Sequence, residues 1–137
     1  MMKKSKYCLL LLLAISLTGC FSNQQLNKST RLIGDWILKG GVYIPGVTKH
    51  KPKLTINADM KVSGFTGCNQ FKGRLIAADG SFTLPVVSSR ICLPELVTQE
   101  DNMLNVLRSA TSIEVINDTL VVDSGNKFLV FEKTNAR

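Results

Sequence analysis

Histidine is nearly missing from this chain of 137 residues, and acids are scarce: one His stands beside 17 Lys+Arg and 10 Asp+Glu. A lone His50 removes the usual histidine-based metal sites. It also removes the base that a serine or cysteine nucleophile needs within hydrogen-bond reach, because His50 lies in a lysine-rich run with no evident carboxylate partner. No Cys-x-x-Cys motif occurs among the four cysteines, so neither a dithiol redox site nor a zinc knuckle is marked. Asp59, Asp79, Asp118 and Asp123 sit at turns, as turn-forming residues do, and nothing marks two carboxylates as a pair for glycoside cleavage. The chain is therefore expected not to be an enzyme and to hold no metal or cofactor. No apolar run reaches the roughly 20 residues that a membrane-spanning helix requires. The length suits a single domain with one core.

The N-terminus compensates for the missing span with an address. Lys3, Lys4 and Lys6 precede an apolar stretch from Leu9 to Leu17, which closes on Leu17-Thr18-Gly19-Cys20. A basic start, a short apolar core and small residues at a cleavage point form an export signal, here residues 1–19. An ordinary signal peptide cleaved nearby, leaving Cys20 as a free thiol, is the plainer alternative. The ending is similar to that of bacterial lipoproteins, which implies that Cys20 becomes the first mature residue and carries palmitate-like acyl chains. Several chains make a durable anchor where one gives only marginal binding. Phe21 follows, with no Asp in the avoidance position, and similarity to enterobacterial lipoproteins then implies the outer membrane, with the domain in the periplasm.

Removing residues 1–19 takes three lysines and no acids, which leaves 14 basic and 10 acidic residues, a net charge of +4. That balance favours anionic lipid or glycan surfaces and falls far short of a nucleic-acid-binding composition, so no nucleic acid partner is expected. The cysteines become informative at the same step. Cys8 leaves with the signal and Cys20 is committed to lipid, so Cys68 and Cys92 remain, and two thiols in an oxidising compartment pair by default. Their bridge would close a loop of about 25 residues, worth roughly 3.5 kcal/mol by loop entropy. A redox-active thiol or a metal pair is the alternative, without a motif or ligands to support it.

Residues 20–30 are rich in Ser, Asn and Gln and read as a lipidated cysteine followed by a flexible tether. Leu32, Trp36 and Leu38 open the folded part, and Gly40 to Pro52 is loop-like. Lys53–Asn57 and Lys61–Phe65 alternate around Ala58-Asp59-Met60 as a hairpin, and Gln70–Ala77 and Ser81–Val87 flank the turn Asp79-Gly80. From Pro94 to Ala110 the period changes: Leu96, Val97, Met103, Leu104, Leu107 and Ala110 recur at helical spacing, with Pro94 suited to the first turn. Ser112–Ile116, Leu120–Asp123 and Lys127–Glu132 are short strands again. The reading is α+β: a mainly antiparallel sheet curled into a small open barrel, with one amphipathic helix packed on it.

Leu32-x-Gly34-x-Trp36-x-Leu38, the run Ser63-Gly64-Phe65-Thr66-Gly67-Cys68-Asn69-Gln70-Phe71-Lys72-Gly73, Cys92, the helix and the Leu120–Phe131 hairpin resemble the META domain, also called the HslJ-like family. The resemblance covers residues 31–133 and leaves 134–137 as a tail. In place of the family's Thr-x-Met-Ala-Cys run stands Ser88-Ser89-Arg90-Ile91-Cys92. The family implies a bacterial envelope lipoprotein connected with heat shock, stress or drug tolerance, and secretion or motility. No established enzymatic activity comes with it.

Residue chemistry reads the motif in two ways. Gly64, Gly67 and Gly73 let the strands bulge or turn, Asn69 satisfies the bent backbone, and Phe65 and Phe71 fill the core on either side of Cys68. Alternatively, Asn69 and Ser63 face a groove that takes a peptide or glycan, with Arg90 brought alongside by the Cys92 bridge. A second candidate is the basic run at Lys49, Lys51 and Lys53, joined by Lys61, Lys72 and Arg74, either a solvated loop or a contact with anionic phospholipid or lipopolysaccharide. Three functions fit: a monomeric, non-enzymatic lipoprotein supporting outer-membrane integrity, stress or drug tolerance; a pilot or chaperone holding a secretion-system or other envelope partner; and a periplasmic inhibitor of a hydrolase such as lysozyme. Charge counts against the inhibitor, because lysozymes are usually basic and this domain is too.

Overall fold

The computed structural model describes residues 21–47 and 49–134, so the expected signal peptide, Cys20 and the last three residues lie outside the described part. Two compact units divide the chain at Thr30 and Arg31. The first described element is helix α1, Phe21–Leu32. This segment was expected to be irregular, and it is helical instead. It contains neither Gly nor Pro, its Gln, Leu, Lys and Arg are good helix formers, and Arg31 complements the dipole at the last turn.

Eight strands make up the sheet of the second unit: β1 Gly34–Gly41, β2 Lys53–Ile56, β3 Lys61–Phe65, β4 Gln70–Ile76, β5 Ser81–Val87, β6 Ser112–Ile116, β7 Thr119–Asp123 and β8 Phe128–Lys133. Helix α2, Pro94–Arg108, connects β5 to β6. All pairings are antiparallel and the order is β5-β4-β3-β2-β1-β8-β7-β6. Strands adjacent in sequence pair, β1 and β2 across the loop 42–52 and the others through shorter connections, except that β5 and β6 lie at opposite edges, and β1 pairs with β8 in the middle of the sheet. The α+β reading, an antiparallel sheet curled into an open half-barrel with one main helix on it, is what the structure has. At the seam, the β4–β5 turn meets the start of β6, with the Gly80 backbone against Ile113.

Period-two alternation decides which side chains enter the barrel. Trp36, Leu38, Leu54, Ile56, Val62, Phe71, Leu120, Val122, Leu129 and Phe131 point inward and are buried. Trp36 is fully buried, and its indole N–H donates to the Leu32 carbonyl at 3.0 Å, so no polar atom is stranded by its burial. Helix α2 closes the core with Met103, Leu104, Val106 and Leu107. Turn chemistry follows the sequence closely at Asn117-Asp118, both with positive φ (47° and 60°), as a two-residue hairpin turn needs.

Two details differ from the expected pattern. Val97, which the helical spacing assigns to the buried stripe of α2, is exposed, and Gln99 is fully buried in that part of the helix. The motif's sequence assigns both Phe65 and Phe71 to the core; only Phe71 is buried there. Strand register gives the reason: Phe65 and Ser63 share the outward face of β3, whereas Phe71 shares the inward face with Val62.

Candidate functional site

The loop between β3 and β4, Thr66 to Asn69, is the polar centre of the domain. It is held as a tight turn: the Thr66 N–H donates to the Asn69 carbonyl at 2.9 Å, and the Thr66 hydroxyl oxygen accepts the N–H groups of Cys68 (3.2 Å) and Asn69 (2.9 Å). Gly67 has φ +102°, a conformation that a side chain would strain. Further along, Gly73 lies where β4 bulges against β5, and a Cβ there would overlap the Thr83 carbonyl oxygen.

Asn69 is only 4% exposed and uses its whole amide. Its Nδ2 donates to Glu100 Oε1 at 3.0 Å, and its Oδ1 accepts from the Arg90 N–H at 2.8 Å and the Ser88 hydroxyl at 3.0 Å. Glu100 on α2 also accepts the Thr66 hydroxyl proton at 2.5 Å and the Asn69 N–H at 3.1 Å. Gln99, one residue earlier on the same helix, donates to the Thr66 carbonyl at 2.9 Å and accepts from the Ile44 N–H at 3.0 Å. One small network thus ties together the β3–β4 turn, the segment after β5, the loop after β1 and the helix. Among the described residues, no buried side-chain nitrogen or oxygen lacks a partner. Cys68 and Cys92 are bridged beside it, as the cysteine count led one to expect.

This arrangement does not place Asn69 in a groove with Ser63. Asn69 points into the network, and Ser63 lies on the opposite, outward face of the sheet. Ser63 there lines a shallow depression of about 310 Å³ with Lys53, Thr55, Gly64, Phe65, Gln70, Phe71 and Lys72. Arg90 meets Asn69 through its backbone, while its side chain is exposed. Lys49 and Lys51 are exposed in the loop before β2, and Lys53 is the first residue of that strand. Lys61 and Arg74 are both engaged at the β2–β3 turn: Lys61 pairs with Asp59 at 2.8 Å, and Arg74 donates to the Asp59 carbonyl at 3.1 Å. The Lys61 hydrogen bonds hold the Asp59 carboxyl below its ordinary pKa.

Thr66, Gln99 and Glu100 were not singled out from sequence as members of one site. Gln99 carries a readable signal, since it occupies an i, i+4 position with Met103 on the apolar stripe, where a polar residue calls for partners. Among the described residues, no group of three or more His, Cys, Asp or Glu is disposed to hold a metal ion, and no helix is long and apolar enough to cross a membrane.

Comparison with known proteins agrees with this architecture. The NMR structure of a protein from Burkholderia xenovorans superposes with a TM-score of 0.61 at 19% identity, covering 79% of this chain and 87% of that one. Another NMR structure gives 0.59 at 18% identity, covering 74% and 90%. At these identities the likeness is one of fold. No curated protein matches the sequence. The META domain matches residues 31–136, which span the whole sheet, the bridge and the Thr66–Glu100 network. The chain belongs to the META domain family.

Proposed function

We propose that this META-domain chain is a non-enzymatic lipoprotein, anchored through Cys20 to the outer membrane and facing the periplasm, where it supports envelope integrity under stress or drug challenge. The observation that carries the reading is the fate of the motif's polar groups. Asn69, Thr66, Gln99 and Glu100 spend their hydrogen bonds on one another and on the backbone, so they act as a clasp for the fold. The Cys68–Cys92 bridge supports the compartment, because disulfides persist where the surroundings are oxidising. The lipid would supply the durable attachment. Lys49, Lys51 and Lys53 would add a salt-sensitive contact with anionic phospholipid or lipopolysaccharide.

Labelling cells with a palmitate analogue tests the anchor: label is expected on the native chain and lost in Cys20→Ser. A deletion strain is expected to be sensitised to heat and to large antibiotics, and only a lipidated copy should rescue it. Equal rescue by Cys20→Ser contradicts the reading.

A second reading, a pilot or chaperone for an envelope partner, is favoured by one feature. Ile91, Leu93 and Val97 are exposed together around the bridged Cys92, an apolar tip on a segment that Asn69 and the disulfide hold in place. Co-purification of one stoichiometric membrane partner, abolished by Ile91→Asp with Leu93→Asp, would establish it in place of the first.

A further inference from the structure

The outward face of β1–β4 carries a second polar arrangement, separate from the clasp. Register lines up Asp35, Thr55, Ser63 and Lys72 in one row across the four strands, and Ile37, Lys53, Phe65 and Gln70 in the next. Ser63 is the direct cross-strand neighbour of Lys72 and the diagonal neighbour of Lys53, whose Cβ lies about 7–8 Å away in such a pair. Both lysine side chains are long enough to close on a group seated over Ser63. The depression of about 310 Å³ lies at this point, with Phe65 beside it.

Positive charge gathers at the Ser63 end of this face. Asp59 pairs with Lys61 at 2.8 Å and Glu132 with Lys39 at 2.6 Å, while Asp35 stands at the far end of the Ser63 row, two strands away, and accepts the Thr55 hydroxyl at 2.6 Å. Among the described residues, neither Lys53 nor Lys72 has a carboxylate within ion-pair distance, and the Ser63 hydroxyl donates to no protein group. Two bare ammonium groups, a free hydroxyl and a half-buried aromatic ring around one hollow match the chemistry of a phosphate ester. The ammoniums act as point charges on its oxygens, the hydroxyl donates a hydrogen bond, and the ring packs against the attached carbon skeleton.

We propose that this hollow on β2–β4 is a binding site for a phosphate ester, with Lys53, Lys72 and Ser63 holding the phosphate and Phe65 packing against the group that carries it. A phosphorylated sugar and a phospholipid head group share that chemistry.

The full chain in neutral detergent, followed by amide NMR, tests it with inorganic phosphate, glucose 6-phosphate, glycerophosphoglycerol and, as a neutral control, glucose. Phosphate is expected to give saturable shifts centred on Lys53, Ser63, Phe65 and Lys72, with glucose giving none. The Lys53→Gln/Lys72→Gln pair, on the surface and harmless to the fold, should weaken phosphate binding about tenfold, while Lys49→Gln/Lys51→Gln leaves it unchanged. Tighter binding of glucose 6-phosphate than of inorganic phosphate supports a soluble sugar ligand; tighter binding of glycerophosphoglycerol supports a lipid head group. Shifts that do not saturate, or that fall equally with the loop pair, overturn the site while leaving the anchoring proposal untouched.

Discussion

Replacing Asn69 by Ala removes the residue on which the clasp converges, and the cost can be worked from its partners. Four hydrogen bonds are lost: one to the Glu100 carboxylate, two accepted from Arg90 N–H and Ser88, and a weak one to Cys68 Sγ at 3.3 Å that adds little. A bond to a charged group contributes about 1.5–3 kcal/mol and a neutral one about 1 kcal/mol, so the gross loss is roughly 3.5–5 kcal/mol. Ser88 and Arg90 are exposed, so water can replace part of what they lose, and the net cost should be about 3–4 kcal/mol. For a domain with a typical stability of about 5–15 kcal/mol, the variant stays folded but melts early. Urea unfolding of the disulfide-intact protein reads the change, and amide exchange at Arg90 should lose protection locally. A double-mutant cycle with Glu100→Ala isolates the shared bond and should give a coupling of about 1.5 kcal/mol or more. A single-mutant cost below about 1 kcal/mol, or a coupling within about 0.5 kcal/mol of zero, would refute the idea that this asparagine clasps the fold.

Cys68→Ser with Cys92→Ser opens a loop with a sequence separation of 24 and should cost roughly 3.5 kcal/mol; an unchanged urea midpoint contradicts this. Gly73→Ala forces its new methyl onto the Thr83 carbonyl and should destabilise by about 2 kcal/mol or more, whereas a neutral result on thermal unfolding would mean that the bulge relaxes freely. Three exposed carboxyls have lowered pKa values, Asp59 through hydrogen bonds from Lys61, Asp79 through Ser81 and Glu132 through Lys39, against ordinary values of 3.8 and 4.5. A folded pKa below the unfolded one gives stability that is complete above the ordinary value and lost as pH falls through the folded value. The unfolding temperature should therefore hold between about pH 7 and 5 and decline below about pH 4, less steeply in Asp79→Asn; a decline that begins above pH 6 points to other groups.

The hairpins and the helix were legible in the sequence because local chemistry determines them. Asp79-Gly80 and Asn117-Asp118 bring their own turn geometry, and Pro94 begins the helix where a missing N–H is harmless. What stayed hidden depends on distant partners. Phe65 and Phe71 look alike along the chain, and only the register across β3 and β4 sends them to opposite faces. Glu100 looks like an ordinary helical surface acid until the β3–β4 turn comes to rest against it. The helical character of residues 21–32 was masked by polar composition, which separates weakly amphipathic helix from linker poorly.

The pairing of β1 with β8 bears on the order in which the molecule can be finished. Asp35 and Thr134 are hydrogen-bonded at 2.8 Å although nearly the whole domain separates them along the chain. Strands β2–β5 can each pair with the strand before them as they emerge, but one edge of β1 stays bare until the last strand arrives. In any process that delivers this polypeptide from its N-terminus, completion of the sheet must wait for β8. The arrival of β8 covers the bare edge of β1 and joins the β1–β5 part of the sheet to the β6–β7 hairpin.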